Sequence, residues 1–168
     1  MIRRFFLFTF VVLALGLAGT DPAQAGVVWE GRIATGNDTV EDQLDRGMYM
    51  TSSDLELPND GGLQVIGLRY VNVNIPRGAT ITKAYVEFTV DESTGPEVCN
   101  LVIDGELSPD APPFLNVTRN VSSRTRTTAK VAWSPEPWPT TGVKKQTVDI
   151  SAIIEEIMIA VMIVVAVD

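Results

Sequence analysis

The chain contains no histidine among its 168 residues, and this absence excludes several kinds of active site. Without an imidazole, neither Ser-His-Asp nor Cys-His nucleophilic catalysis is possible, and zinc sites that use histidine are excluded as well. An enzyme built from this sequence would have to work with carboxylates, lysine, tyrosine or a metal. We therefore expect that the protein is not an enzyme.

Cysteine is nearly as scarce, because Cys99 is the only one in the chain. No intramolecular disulfide can form. Cys99 lies in a β-prone run, residues 98–103, so we expect a buried and chemically inert thiol.

The sequence also lacks an apolar helix long enough to span a membrane. Its N-terminal apolar run, residues 5–18, has about 14 residues, whereas a spanning helix needs about 20. Two arginines precede this run at positions 3–4, and a small-x-small motif follows it at residues 23–25, which is the pattern of a secretory signal peptide. We predict that residues 1–25 are removed and that the mature chain has no membrane span. The protein is then secreted, either extracellular or periplasmic.

Positive charge is scarce relative to negative charge. The chain has 13 Lys and Arg against 21 Asp and Glu, which gives a net charge of −8. Such a surface repels nucleic acid and favours solubility or divalent cations. We expect no nucleic-acid partner.

Residues 66–92 carry the clearest structural pattern. They form two β-type runs separated by a Pro/Gly turn at residues 75–79, and they read as a hairpin-like strand pair. In the second run, apolar residues alternate with more polar ones over residues 84–90, as in a strand with one buried face. Similar short runs, separated by turns, recur along the chain. This pattern predicts an all-β fold, an antiparallel, jelly-roll-like β-sandwich.

The C-terminal part departs from this pattern. Four isoleucines between positions 150 and 157 fall at helical spacing, which predicts one short helix with Asp149 or Ser151 as its N-cap. Residues 157–167 are then apolar without a polar break. Such a run fits a buried core strand, or an aggregation-prone segment if it is exposed. We therefore divide the chain into a signal peptide (1–25), a sandwich module (26–157) and an atypical apolar tail (158–168).

Acidic side chains lie close together in sequence on what we interpret as loops. Carboxylate and carbonyl oxygens are the ligands that Ca²⁺ prefers, although no EF-hand spacing is present. Calcium is therefore the candidate cofactor, and a solvated acidic loop is the alternative. The candidate ligands are Asp38, Glu41, Asp42, Asp54 and Glu56.

Sugar binding requires an aromatic ring that stacks on a pyranose face beside polar groups. We select Trp138, Tyr70 and Tyr85 as candidate ligand-binding residues. Trp138 lies between two prolines, so we expect it to be exposed, with a loop-pinning role as the alternative.

Glu155 and Glu156 are the only carboxylate pair on the predicted helix. Adjacent helical side chains diverge by about 100°, so the pair does not face a common cleft. We interpret both as part of a solvated helix face, and we predict no catalytic residues.

A family resemblance rests on residues 66–70 (IGLRY) and 75–88 (IPRGATITKAYVEF), supported by VAWSP at 131–135 and VDISAI at 148–153. Together these motifs resemble the DNRLRE-type β-sandwich modules, which are similar to carbohydrate-binding jelly rolls of secreted bacterial proteins. The resemblance covers about residues 28–157. It implies a non-catalytic module that binds polysaccharide or another extracellular polymer.

Such modules usually continue past the helix with a Gly/Asn turn and a further long strand, which this sequence does not show. The chain is then a truncated or frame-shifted member, or its apolar tail replaces that strand. Two other functions remain open. One is a structural or adhesive protein that self-associates through open sheet edges or the tail. The other is an accessory fragment of a larger secreted enzyme.

Overall fold

The structure, a computed structural model, describes residues 4–15, 27–33, 36–57, 59, 61–76, 79–94, 99–108, 110–157 and 161–167. A 3-10 turn at Gly36–Asp38 and one α-helix, α1 (Ser151–Ile157), accompany the strands. The strands are β1 (Arg4–Leu15), β2 (Val27–Arg32), β3 (Thr39–Asp42), β4 (Met48–Tyr49), β5 (Leu55–Glu56), β6 (Val65–Tyr70), β7 (Thr80–Val90), β8 (Leu101–Glu106), β9 (Arg126–Trp133), β10 (Lys144–Gln146) and β11 (Val161–Val167).

The strands form two sheets. Sheet A has the order β10-β7-β1-β2, with β5 also paired to β1, and sheet B has the order β4-β3-β6-β11-β8-β9. The strand pairs are antiparallel. The predicted all-β sandwich-like fold with one short C-terminal helix is confirmed. No helix in the described ranges is long and apolar enough to cross a membrane.

The alternation predicted for residues 84–90 is present in β7. Its apolar residues are buried and its intervening residues are more exposed, so one face of β7 turns to the core. Phe88 packs there against Trp133 and Trp138, with ring centroids 5.9 and 6.0 Å away. This aromatic cluster joins β7 of sheet A to the end of β9 of sheet B.

The predicted hairpin of residues 66–92 is wrong. Strand β6 belongs to sheet B, whereas β7 belongs to sheet A. The chain therefore passes from one layer of the sandwich to the other between β6 and β7, and the two layers lie about 10 Å apart in such folds. The turn signal marks this connection, because both strands bury an apolar face against the opposite sheet rather than against each other.

The acidic segment that we interpreted as a loop contains an interior strand. Strand β3 lies between β4 and β6, and both of its carboxylates, Glu41 and Asp42, are buried. Sequence alternation did not reveal it because polar residues occupy buried positions, where side-chain hydrogen bonds compensate their burial.

The apolar tail supplies an interior strand of sheet B. Strand β11 pairs with β6 on one side and with β8 on the other. Ile163 and Val165 join the main core, whereas Val164 packs on the opposite face with Phe114 and Val121. Both faces of β11 are covered, so the run needs no polar break. The tail therefore provides a strand after the helix, one of the two alternatives given above.

Residues 4–15 of the predicted signal peptide form β1, an interior strand of sheet A. The predicted cleavage site at residues 23–25 lies outside the described residues. Removal of residues 1–25 stays a prediction, and the structure shows the uncleaved chain.

Helix α1 closes one end of the sandwich. Three of its isoleucines are buried, and the predicted N-cap is present, since Asp149 Oδ1 accepts a hydrogen bond from Ser151 N at 3.0 Å. The same Asp149 oxygen also accepts one from Ala84 N of β7 at 3.0 Å. The cap thus fixes the helix to sheet A.

Glu155 and Glu156 are both exposed, as predicted for a solvated helix face, and in addition both accept hydrogen bonds from neighbouring strands. Glu155 accepts a hydrogen bond from Ile81 N of β7 at 3.1 Å, and Glu156 accepts bonds from Thr128 N and Ala129 N of β9. Because neighbouring helical side chains diverge, the two carboxylates reach strands of different sheets.

Candidate functional site

The outer face of sheet A carries one tyrosine, Tyr85, together with polar side chains of β7 and β10. Tyr85 lies in β7 and is half-buried, and Lys83 Nζ lies 5.2 Å from the centroid of its ring. The period of two along β7 brings Glu87 to the same face. Strand β10 pairs with β7 and adds Lys144 and Gln146 beside Glu87. We call these five residues the Tyr85 face.

Glu87 is the centre of a hydrogen-bond network on this face. Its carboxylate accepts a bond from Lys144 Nζ at 2.6 Å and one from Gln146 Nε2 at 3.0 Å. The bond from Lys144, followed by that from Gln146, lowers the pKa of Glu87 below its ordinary value. The carboxylate is therefore charged at neutral pH and held in one orientation beside the ring.

An open groove of about 280 Å³ lies beside β10. Gln146 belongs to both the groove and the Tyr85 face. The groove combines indole surface with a carboxylate, an amide and an ammonium group. Its lining residues are Trp133, Ser134, Pro135, Glu136, Trp138, Lys145, Gln146 and Val148.

The expected exposure of Trp138 is wrong, because only 2% of its surface is accessible. Its ring packs 6.1 Å from Trp133 and 6.0 Å from Phe88. Its backbone N–H donates to Thr94 Oγ1, which fixes the proline-rich segment to the sandwich. Trp138 thus pins a loop, as in the alternative reading, and contributes only an edge to the groove.

Tyr70 is also buried, at 2% exposure, and its ring makes an edge contact with Trp29 at 6.5 Å. Burial raises the pKa of its hydroxyl well above the ordinary value. Of the three predicted ligand-binding rings, only Tyr85 lies at the surface.

The five predicted calcium ligands do not form one cluster. The structure brings Glu41 and Glu56 together, since Glu56 N donates to Glu41 Oε1 at 2.8 Å. Gln64 Nε2 also donates to this Glu41 oxygen, at 3.2 Å. In the described ranges, no group of three or more His, Cys, Asp or Glu side chains is arranged to hold a metal.

The other three predicted ligands have separate structural partners. Asp38 pairs with Arg69 at 2.6 Å, and Asp54 accepts hydrogen bonds from the hydroxyls of Ser52 and Ser53. Asp42 accepts bonds from the backbone of residues 44, 121 and 122. These carboxylates hold loops in place. The calcium hypothesis itself stays a prediction.

Sequence reasoning missed the other four residues of the Tyr85 face, Lys83, Glu87, Lys144 and Gln146. A signal for Glu87 was present, because it follows Tyr85 in the outward phase of a strand whose inward phase was recognised. No comparable signal existed for Gln146. It lies in a three-residue strand that shows no periodicity of its own.

Comparison with family models, with curated proteins and with solved structures finds no match for this chain.

Proposed function

We propose that the protein is an exported, non-catalytic module that binds carbohydrate or another extracellular polymer through the Tyr85 face. The observation that carries the proposal is the half-buried Tyr85 ring beside the oriented Glu87 carboxylate and its partners Lys144 and Gln146. The resemblance to DNRLRE-type modules and the predicted signal peptide support the same function.

The chemistry of this face suits a sugar. A ring face stacks on the apolar side of a pyranose, while carboxylate, amide and ammonium groups hydrogen-bond its hydroxyls. The ammonium of Lys83 over Tyr85 adds a donor next to the stacking surface. The face and the adjoining groove are open rather than enclosed, so an extended polymer fits them better than an engulfed small molecule.

Replacement of one tyrosine tests the proposal. We expect Tyr85→Ala to weaken polysaccharide binding by about tenfold or more, which corresponds to about 1.4 kcal/mol of lost stacking. Tyr49→Ala is the matched control, since Tyr49 is 43% exposed but lies on β4 of sheet B. A screen of soluble and insoluble polysaccharides should retain the wild type and Tyr49→Ala. Failure of every polymer to retain the wild type contradicts the proposal.

A second candidate is a structural or adhesive protein that assembles through sheet edges. The observation that favours it is the edge position of β2, a six-residue strand on the outside of sheet A. An unpaired strand edge is a template for pairing with another chain. Size-exclusion chromatography over a concentration series separates the two functions: a monomer that binds polymer supports the first, and concentration-dependent growth supports the second.

A further inference from the structure

Strand β1 holds an unusual position for residues that carry a signal-peptide pattern. It pairs with β7 from Phe5 opposite Val90 to Leu15 opposite Thr80, and with β2 on its other side. Within the described part of the chain, β1 is the only strand that pairs with β2. Cleavage after residue 25 would therefore remove an interior strand and the strand partner of β2.

The strands that pair with β1, namely β2, β5 and β7, would then carry unsatisfied backbone groups. The edge of β7 loses its pairing partner along ten aligned positions. Buried backbone N–H and C=O groups without partners are strongly unfavourable, and an open edge also exposes part of the core. A rearrangement that joins β2 to β7 gives β2 a new partner and covers the edge of β7 from Ile81 to Glu87, the rows that the two strands share.

The register shows that β2 and β7 are complementary across β1. Arg32 and Glu87 both lie opposite Thr9, so they occupy one row of the sheet. Trp29 and Ala84 both lie opposite Val12, so a large residue shares a row with a small one. Already across the width of β1, the positive charge of Arg32 contributes to lowering the pKa of Glu87. A sideways shift of β2 by one strand spacing, about 4.8 Å, would bring the members of each row together.

We propose that, once residues 1–25 are removed, β2 pairs directly with β7 in the place that β1 holds in the uncleaved chain. The pairing is parallel, because β1 runs antiparallel to both strands. It is intrachain, since a short linker gives β2 an effective concentration in the millimolar range near its own sheet. The contacts that the shift gives up include the exposed hydrogen bond from Trp29 Nε1 to Asn72 O at 3.2 Å and the edge contact between the rings of Trp29 and Tyr70. The proposal rests on the export half of the proposed function.

An engineered cysteine pair distinguishes the two arrangements. Arg32→Cys and Glu87→Cys are combined in a Cys99→Ala background, which removes the native thiol. In the uncleaved chain the two positions are two strand spacings apart, about 10 Å, which exceeds the roughly 7 Å between Cα atoms that a disulfide tolerates. After the shift they are one spacing apart, about 5 Å, and can be bridged.

Two controls accompany this variant. The pair Glu87→Cys and Gln146→Cys is adjacent in both arrangements, so its cross-linking reports an assembled sheet A. The substitution Ala25→Phe blocks cleavage, because the peptidase requires a small residue there. The full-length chain is expressed with export, and intact-mass spectrometry identifies its N-terminus and its disulfide.

We expect the processed chain to form the 32–87 disulfide as a monomer, and the cleavage-blocked chain not to form it. Four results overturn the proposal: retention of residues 1–25 in the exported wild type, failure of the 32–87 pair while the 87–146 pair forms, failure of both pairs, or a 32–87 bridge that links two chains. The first result contradicts cleavage after residue 25 and leaves export itself in place. The others leave polymer binding, measured separately with Tyr85→Ala, untouched.

Discussion

The carboxylate of Glu156 accepts a hydrogen bond from the backbone N–H of Ala129 at 2.8 Å. Its second oxygen accepts one from Thr128 N at 2.9 Å. Strand β9 is an edge of sheet B, so Glu156 occupies donors that another β-strand would otherwise use. These hydrogen bonds lower the pKa of Glu156, which keeps the carboxylate ionised and acceptor-only at neutral pH.

We expect Glu156→Ala to increase self-association through β9. Alanine preserves the helix but leaves the edge donors available to a second chain. Sedimentation velocity over a concentration series measures the effect. Asp110→Ala, on an exposed loop, is the control and should behave as the wild type. A monomeric Glu156→Ala protein at every concentration would show that other features protect this edge.

Acid should destabilise the protein partly through Asp149. Burial acts to raise the pKa of this carboxyl, but hydrogen bonds from Ala84 N and Ser151 N outweigh it and lower the pKa below the ordinary value. The unfolded chain therefore binds the proton more readily. The stabilising contribution of Asp149 is present above its unfolded pKa of about 3.9 and is lost as the pH falls through the folded value.

The corresponding measurement is the urea midpoint between pH 7 and pH 2. We expect the midpoint to fall below about pH 4, and to fall less steeply for Asp149→Asn than for the wild type. Asp110→Asn should keep the wild-type slope. Equal slopes for Asp149→Asn and the wild type would contradict the assigned role of Asp149.

Asp42 should be among the most sensitive carboxylates in the chain. Its two oxygens accept hydrogen bonds from Leu44 N, Val121 N and Ser122 N, and the residue is fully buried. Asp42→Ala leaves these donors without their acceptor, and we expect a loss of about 3 kcal/mol in the free energy of unfolding. Asp45→Ala removes an exposed ion pair with Arg119 and should change it by less than about 1 kcal/mol. If urea titrations give the same loss in the free energy of unfolding for Asp42→Ala and Asp45→Ala, the predicted role of Asp42 is contradicted.

The calcium hypothesis predicts that added Ca²⁺ raises the melting temperature of chelator-treated protein. Glu41 is the predicted ligand chosen for the test, because its buried carboxylate accepts hydrogen bonds from Glu56 N and Gln64 Nε2. Glu41→Gln should then abolish the calcium-dependent shift. An unchanged wild-type melting temperature with excess Ca²⁺ rejects the hypothesis.

The sequence predicted the fold where local pattern and burial agree. Strand β7 follows the alternation of residues 84–90, and helix α1 follows the isoleucine spacing, with Asp149 as its cap. Each of these features depends on residues that are close along the chain. Which sheet a strand joins depends on partners that are distant in sequence. The sequence therefore could not show that β6 and β7, although consecutive along the chain, belong to different sheets.

The candidate site was predictable only in part. Tyr85 was identified from residue type and strand phase, and it is at the surface. Trp138 was assigned by its neighbouring prolines, but its burial depends on Phe88, which is far away in sequence. Likewise, the backbone amides that donate to Asp42 come mainly from residues 121 and 122, which are far from it in sequence, so no local motif predicts these hydrogen bonds.

The position of β11 determines when this protein can fold. It is the last strand in sequence among the described residues, yet it lies in the middle of sheet B with β6 and β8 as its neighbours. A nascent chain that lacks residues 161–167 has nothing to join the two halves of that sheet. Completion of the fold must wait for the final strand, which makes folding dependent on contacts between distant parts of the chain and therefore slow. Until residues 161–167 are available, sheet B stays open along the edges of β6 and β8.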